Sequence, residues 1–124
     1  MQAIVLFAHG ARDARWAEPF EAVAARLRAA APGVPVRLAF LELMTASLAD
    51  AVAALAAEGA TRVDVVPLFL GTGGHLRQDL PRVVDEVRAA HPALALHLHP
   101  AIGEQPAVIE AMARAAVSIA GLGE

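Results

Sequence analysis

The chain has 124 residues, enough for one domain with a buried core, and 57% of them are hydrophobic. It contains no cysteine, which excludes disulfides, thiolate metal sites and cysteine-ligated iron–sulfur clusters. The net charge of −3 argues against nucleic-acid binding, and the lack of lysine excludes a Schiff-base or P-loop lysine. No segment approaches the roughly 20 apolar residues of a membrane span, and the N-terminus lacks signal-peptide features. We therefore expect a cytoplasmic protein with no membrane partner.

Short apolar runs alternate with helical patterns along the whole chain. The predicted strands are residues 3–8, 35–41, 63–69 and 94–99, and the predicted helices are 16–30, 47–58, 79–90 and 106–120. Trp16 opens the apolar face of the first helix, Ser47 or Thr45 is expected to cap the second, and Asp79 the third. The apolar face of the last helix is predicted to consist of Val108, Ile109, Met112 and Ile119.

This alternation predicts an α/β fold in which residues 1–124 form a single domain. Right-handed crossovers favour a three-layer αβα sandwich around a four-stranded parallel sheet, with the flavodoxin-like order 2-1-3-4. In the fourth strand, leucines alternate with Ala95, His97 and His99, whereas a central parallel strand would be apolar on both sides. We therefore expect this strand at the sheet edge or near a subunit contact.

Two of the predicted strands are followed by a histidine that lies beside glycine. His9 and Gly10 directly follow the first strand, and His75 follows the third strand through a glycine-rich loop. Because open α/β sheets bind ligands at the carboxyl ends of their strands, both imidazoles are expected at one functional edge. The same loop around Gly10 carries Arg12 and Arg15, which are either solvated or clamps for anionic groups.

The loop Gly71-Thr72-Gly73-Gly74 admits two interpretations. It could cradle a phosphate, but it lacks both the G-x-G-x-x-G spacing and a Walker lysine. Its glycines could instead give clearance to a flat, bulky ligand and expose backbone N–H groups to the ligand's acidic groups. Both interpretations place a ligand at this loop.

Glu42 follows the second strand and is a candidate third member of the site. Its alternative role is that of an ordinary acid at a helix start, favoured by the helix dipole. Two imidazoles and a carboxylate suit Co²⁺, Fe²⁺, Ni²⁺ or Zn²⁺ better than Mg²⁺ or Ca²⁺. Of the other histidines, His91 is expected at the surface, and His97 and His99 stay ambiguous, with His99 able to line the cleft.

Together these segments resemble a known family, the small-form sirohydrochlorin chelatases. The resemblance rests on residues 9–13, on Phe40-Leu41-Glu42, on residues 100–106 and above all on the sixteen residues from Val66 to Pro81. It spans nearly the whole chain. One departure is Ala46, where the family pattern has proline at a helix start.

The resemblance implies a class II chelatase, which inserts a divalent metal into a tetrapyrrole without ATP. It implies a (βα)4 half-domain that acts as a homodimer, with no cofactor beyond the metal substrate. By position, His9 and His75 match the metal-binding and catalytic histidines, and Glu42 matches their acidic catalytic partner. The carboxylates of sirohydrochlorin suggest that the substrate-binding residues are Arg12, Arg15, Phe69, Leu70, Gly71, Thr72, Gly73, Gly74, Leu76 and Arg77.

We therefore expect a sirohydrochlorin cobaltochelatase of cobalamin biosynthesis, with sirohydrochlorin and Co²⁺ as its partners. Insertion of iron for sirohaem, or of nickel, is the alternative within the class, since all three ions accept imidazole and carboxylate. A non-catalytic carrier of metal or tetrapyrrole would use the same histidines. A flavodoxin-like signalling domain is disfavoured, because the strand ends hold His9 and Gly71 where an acidic pocket would be needed.

Overall fold

Four strands alternate with four helices in the computed structural model, which describes residues 1–122. The strands are β1 (Gln2–Ala8), β2 (Val36–Phe40), β3 (Arg62–Pro67) and β4 (Ala95–Leu98). The helices are α1 (Glu18–Ala30), α2 (Leu48–Ala57), α3 (Gly74–Ala90) and α4 (Pro106–Ile119), with short 3₁₀ turns at Ala14–Ala17 and Ile102–Glu104. The predicted domain runs to residue 124, and residues 123 and 124 lie outside the described part. None of the described helices is both long and apolar enough to cross a membrane.

The four strands form one parallel sheet in the order β2-β1-β3-β4, which confirms the predicted topology. In the register of the central strand β1, Ile4 lies opposite Val36 of β2 and Asp64 of β3. β4 is an edge strand, as its alternating pattern predicted. Because all strands are parallel, the carboxyl ends of β1, β2 and β3 lie at the same edge of the sheet.

Helices cover the two faces of the sheet unequally. α2 and α3 pack on one face, and the core there is fully buried, including Phe7, Val52, Leu55 and Val84. On the other face, α1 covers β1 and β2 through a smaller cluster around Leu6 and Ala24. α4 contributes no buried residue to either face, although its amphipathic sequence predicted an ordinary core helix.

Capping residues and proline determine where the helices begin, and two of the helix starts differ from the prediction. Ser47 caps α2 in a reciprocal capping box with Asp50, as expected for one of the two candidate caps. The prediction that α3 begins near Asp79 is wrong, because Gly73 is its N-cap and the helix starts at Gly74. The prediction that Trp16 lies on the core face of α1 is also wrong. Pro19 occupies the first turn of α1, and Trp16 belongs to the preceding 3₁₀ turn, where it is 44% exposed.

Asp64 is the buried charged side chain of the described core, and it lies in β3 beside the edge strand. Arg62 donates two hydrogen bonds to its carboxylate, at 3.2 and 3.0 Å, and Gln2 donates a third at 2.7 Å. The Nε2 atom of His99 lies 2.7 Å from Oδ1 of Asp64. The prediction left the role of His99 open, and its imidazole is engaged here with Asp64.

These partners govern how Asp64 contributes to stability. The Arg62 guanidinium, with smaller contributions from His99 and Gln2, holds the pKa of the Asp64 carboxyl well below its usual range, although burial alone would raise it. A carboxyl whose pKa is depressed by folding stabilises the native state fully above its unfolded pKa, about 3.9, and loses that contribution as pH falls toward the folded pKa.

We expect Asp64→Asn to lower the free energy of unfolding at pH 7 by about 1–3 kcal/mol, since a charge-assisted network is replaced by weaker bonds. The deficit should shrink steadily below about pH 4, where the wild-type carboxyl loses its advantage. Urea unfolding of the wild type and the variant between pH 7 and pH 3 measures this difference in the free energy of unfolding. An equal deficit at every pH would show that packing, rather than ionisation, accounts for the effect.

Candidate active site

The loops that leave β1, β2 and β3 lie side by side at the carboxyl edge of the sheet. The ladder continues one residue beyond the strands, since the Leu41 N–H donates to the Ala8 carbonyl and the Leu68 N–H donates to the Phe7 carbonyl, each at 2.8 Å. These bonds hold the start of each loop in register. They bring the segments that carry His9, Glu42 and His75 to one edge, as the sequence predicted.

At this edge, His9 contacts two aromatic side chains. It directly follows β1 and is half-buried, with its ring 4.7 Å from the ring of Phe69, centroid to centroid. Phe69 was predicted to contact substrate, but it is only 5% exposed and lies against the imidazole. The indole Nε1 of Trp16 donates a hydrogen bond to the His9 carbonyl at 2.7 Å. His9 is therefore held through both its ring and its backbone.

Gly10 brings the His9 loop against the Glu42 loop. A Cβ at Gly10 would lie 1.5 Å from the carbonyl oxygen of Glu42, so only glycine permits this approach. The side chain of Glu42 itself is exposed. Its neighbour Leu43 has a positive φ of 67°, an unusual conformation for a bulky residue. Glu42 thus belongs to a bend beside His9 and not to a helix start.

His75 occupies the first turn of α3 and is exposed. The prediction that a glycine-rich loop carries His75 is therefore wrong, because this histidine lies in a helix. The first backbone N–H groups of a helix have no intrahelical partner and are available to anions. A Cβ added at Gly71, Gly73 or Gly74 would meet nothing within 4 Å. These glycines therefore leave open space, unlike Gly10, which is packed.

The three candidate catalytic residues share an edge without forming a closed metal cage. Within residues 1–122, no group of three or more His, Asp or Glu side chains is placed to hold a metal ion together. His9, Glu42 and His75 are therefore accessible donors on neighbouring loops. Their arrangement allows proton transfer and contact with a metal ion, and both functions use neutral imidazole nitrogen.

The predicted arginines differ in their surroundings. Arg15 forms a two-pronged ion pair with Asp13, its Nε 3.2 Å from Oδ1 and its Nη2 2.8 Å from Oδ2. This exposed pair lowers the pKa of the Asp13 carboxyl and occupies the guanidinium. Arg12 instead lines an open groove of about 540 Å³ together with Leu43 and Met44. Arg77 lies exposed in α3, one turn from the glycine loop.

Exposed apolar side chains lie on the loops of this edge, and the sequence indicated only some of them. Leu70 is 68% exposed, as suits a predicted substrate contact, while Leu76 is partly buried. Leu43 at 61% and Trp16 at 44% were missed. The position of Pro19 could have shown that Trp16 precedes the helix. Nothing in the local sequence indicates the conformation of Leu43. The edge therefore combines imidazoles with an apolar rim.

Comparison with known proteins gives relatives of two lengths. The sirohydrochlorin ferrochelatase of Bacillus subtilis is 30% identical over 112 residues, which are 90% of this chain and 42% of that protein. The sirohydrochlorin cobaltochelatase of Saccharolobus solfataricus is 43% identical over 49 residues, which are 40% of this chain and 38% of that protein. Each match thus spans less than half the length of the curated relative.

Solved structures share the fold over nearly the whole chain. A cobalamin (vitamin B12) biosynthesis CbiX protein from Marinobacter aquaeolei VT8 has a TM-score of 0.89 at 32% identity, with 99% of this chain and 100% of that chain covered. SirB from Bacillus subtilis with Fe³⁺ has a TM-score of 0.81 at 27% identity, with 95% of this chain and 47% of that chain covered. The family model for CbiX matches residues 3–118, and the chain therefore belongs to the CbiX family.

Proposed function

We propose that this protein inserts a divalent metal ion into sirohydrochlorin without ATP, and that Co²⁺ for cobalamin biosynthesis is its physiological ion. The observation that carries the proposal is the pair of accessible histidines, His9 and His75, on adjoining loops of a CbiX-family sheet edge. Curated relatives are named for this substrate. No cofactor is proposed beyond the metal substrate.

The chemistry of insertion suits these residues. The ring must lose two pyrrole N–H protons, and its nitrogens then replace water and protein donors around the metal ion. An ordinary imidazole, with a pKa of about 6.5, can accept a proton or bind a metal near neutral pH. The ring of His9 contacts Phe69 and its carbonyl accepts a hydrogen bond from Trp16, whereas His75 and Glu42 are exposed. The pair of histidines would present the metal and accept protons, and Glu42 would take up a proton or orient an imidazole.

The rest of the edge suits a flat ring that carries carboxylates. The glycines of residues 71–74 leave open space for the ring, and Leu70 and Leu43 offer exposed apolar surface beside it. Arg12, Arg77 and the first N–H groups of α3 are the anchors for the carboxylates. Arg15 would have to break its ion pair with Asp13 before it could bind a carboxylate of the ring.

One structural relative favours cobalt over iron. This chain covers the whole of that solved structure, which is described as a protein of cobalamin biosynthesis. Iron or nickel insertion is the alternative within the same chemistry.

Two copies of the chain would together supply what a longer relative has in one. This chain aligns with 47% of one SirB structure and 50% of another, with TM-scores of 0.81 and 0.82. One copy leaves the histidine edge open, with Leu43 and Leu70 largely exposed. We therefore propose a homodimer whose second copy closes over the ring.

A turnover experiment separates the enzyme from a carrier. With sirohydrochlorin and Co²⁺ in excess under anaerobic conditions, an enzyme forms many equivalents of metallated product per chain, followed by the absorbance of the ring. A carrier stops after about one equivalent per site, and that result would reject catalysis. Competition among Co²⁺, Fe²⁺ and Ni²⁺ in the same assay tests the preferred metal, and faster insertion of Fe²⁺ would overturn the choice of cobalt.

A further inference from the structure

Helix α4 lies outside the hydrophobic core. Within residues 1–122, it has no buried side chain, and its main packing is against the 3₁₀ turn Ile102–Glu104 that precedes it. Three of its large apolar residues nevertheless form a stripe along one side, in which Ile109, Met112 and Ile119 are 56%, 48% and 86% exposed. On the opposite side, Arg114 is paired with Glu110 at 3.1 Å. This is the pattern of a helix that packs on an apolar surface.

The sheet has a matching surface without a helix, which we call the open face. It is the side of β3 and β4 that faces away from α2 and α3. Ala95 and His97 are exposed there, and Val66 and Leu68 are partly buried where they pack against the α1 cluster. Strand alternation places Asp64 on the same side, and its carboxylate is already paired with Arg62 and His99. α2 and α3 lie on the other side of the sheet. A sandwich with helices on both faces would have a helix here.

We propose that two copies of this chain exchange α4, so that the helix of each copy covers the open face of the other. The 14 residues of α4 span about 21 Å, and the six residues of β3 span about 20 Å. The apolar stripe would then face Val66 and Leu68, while the Glu110–Arg114 pair would stay in water. The inference rests on the homodimer proposed above, but not on its metal-insertion activity.

The turn before α4 is held against the loop that follows β3. The Gly103 N–H donates to the Phe69 carbonyl at 2.9 Å, and a Cβ at Gly103 would lie 2.1 Å from the Leu70 carbonyl oxygen. The turn before the helix is therefore pressed against the Phe69–Leu70 segment. Beyond this turn, α4 does not pack on the sheet of its own chain. A second copy that holds α4 would also steady the segment that supports His9.

Two alanines of α4 give a matched test of the exchange. Ala116 lies on the side of the apolar stripe, Ala107 lies on the side of Glu110 and Arg114, and both are exposed in one copy. We expect a wild-type dimer by light scattering coupled to gel filtration. Ala116→Glu should raise the dimer dissociation constant at least about 100-fold by burying a charge, and Ala107→Glu should leave it unchanged. A monomeric wild type, or equal dissociation constants for the two variants, would overturn the proposal.

The absence of cysteine from the chain permits a second test by disulfide cross-linking. His97→Cys marks the open face and Met112→Cys marks the apolar stripe. In the double variant, mild oxidation should give a covalent dimer on a non-reducing gel. A disulfide within one chain would show that α4 folds back on its own sheet. A covalent dimer from Met112→Cys alone would show α4 paired with α4, and either result would reject the exchange. Neither test needs metal or tetrapyrrole, so its outcome is separate from that of the insertion assay.

Discussion

Replacing His75 with alanine is expected to lower the rate of metal insertion at least about 100-fold, the usual contribution of a positioned acid or base. His75 lies exposed in the first turn of α3, beside glycines that leave open space. Removal of its imidazole takes away a proton acceptor and a metal donor without creating a cavity. The initial rate of insertion, measured spectroscopically at fixed sirohydrochlorin and Co²⁺, gives the effect.

The control for this variant lies at the other end of the same helix. His91 follows the last turn of α3, and its backbone N–H donates to the Arg88 carbonyl, which alanine preserves. His91→Ala should therefore keep the wild-type rate. The melting temperature of His75→Ala should also match that of wild type, because the side chain is exposed. Near-normal insertion by His75→Ala would show that the histidine has no part in the reaction.

Gly10→Ala is expected to cost at least about 2 kcal/mol of stability, within the range of overpacked sites, and to lower the insertion rate as well. The new methyl group would lie 1.5 Å from the Glu42 carbonyl oxygen, which is backbone and cannot rotate away. The β1 and β2 loops would have to separate, and that would displace His9 from its place beside Glu42. Urea unfolding and the insertion assay on the same protein measure both effects.

Gly71→Ala is the matched substitution for the stability measurement. A Cβ at Gly71 meets nothing within 4 Å. Alanine at a compatible glycine position leaves stability unchanged or raises it by up to about 1 kcal/mol, through the unfolded state. A glycine-to-alanine substitution should thus lower the free energy of unfolding at Gly10 and leave it unchanged or raise it at Gly71. Equal stability of the two variants would mean that the close approach at Gly10 is not a constraint on the fold.

The hydrophobic pattern was sufficient to predict the elements, because mainly apolar runs mark the strands, and the right-handed crossover rule then predicted the strand order. The same logic failed at two helix starts. The glycines before His75 suggested a loop, but Gly73 and Gly74 adopt the cap and first turn of α3, which glycine permits. Trp16 continues the helical spacing of α1, but Pro19 fixes the helix start after it. Periodicity describes the face of a helix and not its first residue.

The meeting of the segments that carry His9, Glu42 and His75 was predicted from the sequence, because parallel strands bring their carboxyl ends to one edge. The sequence could not indicate which glycines are packed and which are open. Gly10 lies against backbone that is 32 residues away in sequence, and Gly103 lies against Leu70. Nor could the apolar stripe of α4 reveal that its helix leaves the core. Such contacts depend on distant segments, which local spacing does not describe. The resemblance to the chelatase family is confirmed by the match to its family model.

The initial rate of Co²⁺ insertion into sirohydrochlorin, measured in anaerobic buffer with and without the protein, tests the central claim most directly. We expect the rate to rise in proportion to protein concentration and well above the spontaneous rate. A variant with both His9→Ala and His75→Ala should return it to the spontaneous value. A wild-type rate no higher than the spontaneous one, for Co²⁺, Fe²⁺ and Ni²⁺ alike, would contradict the assignment of this sheet edge as a chelatase site.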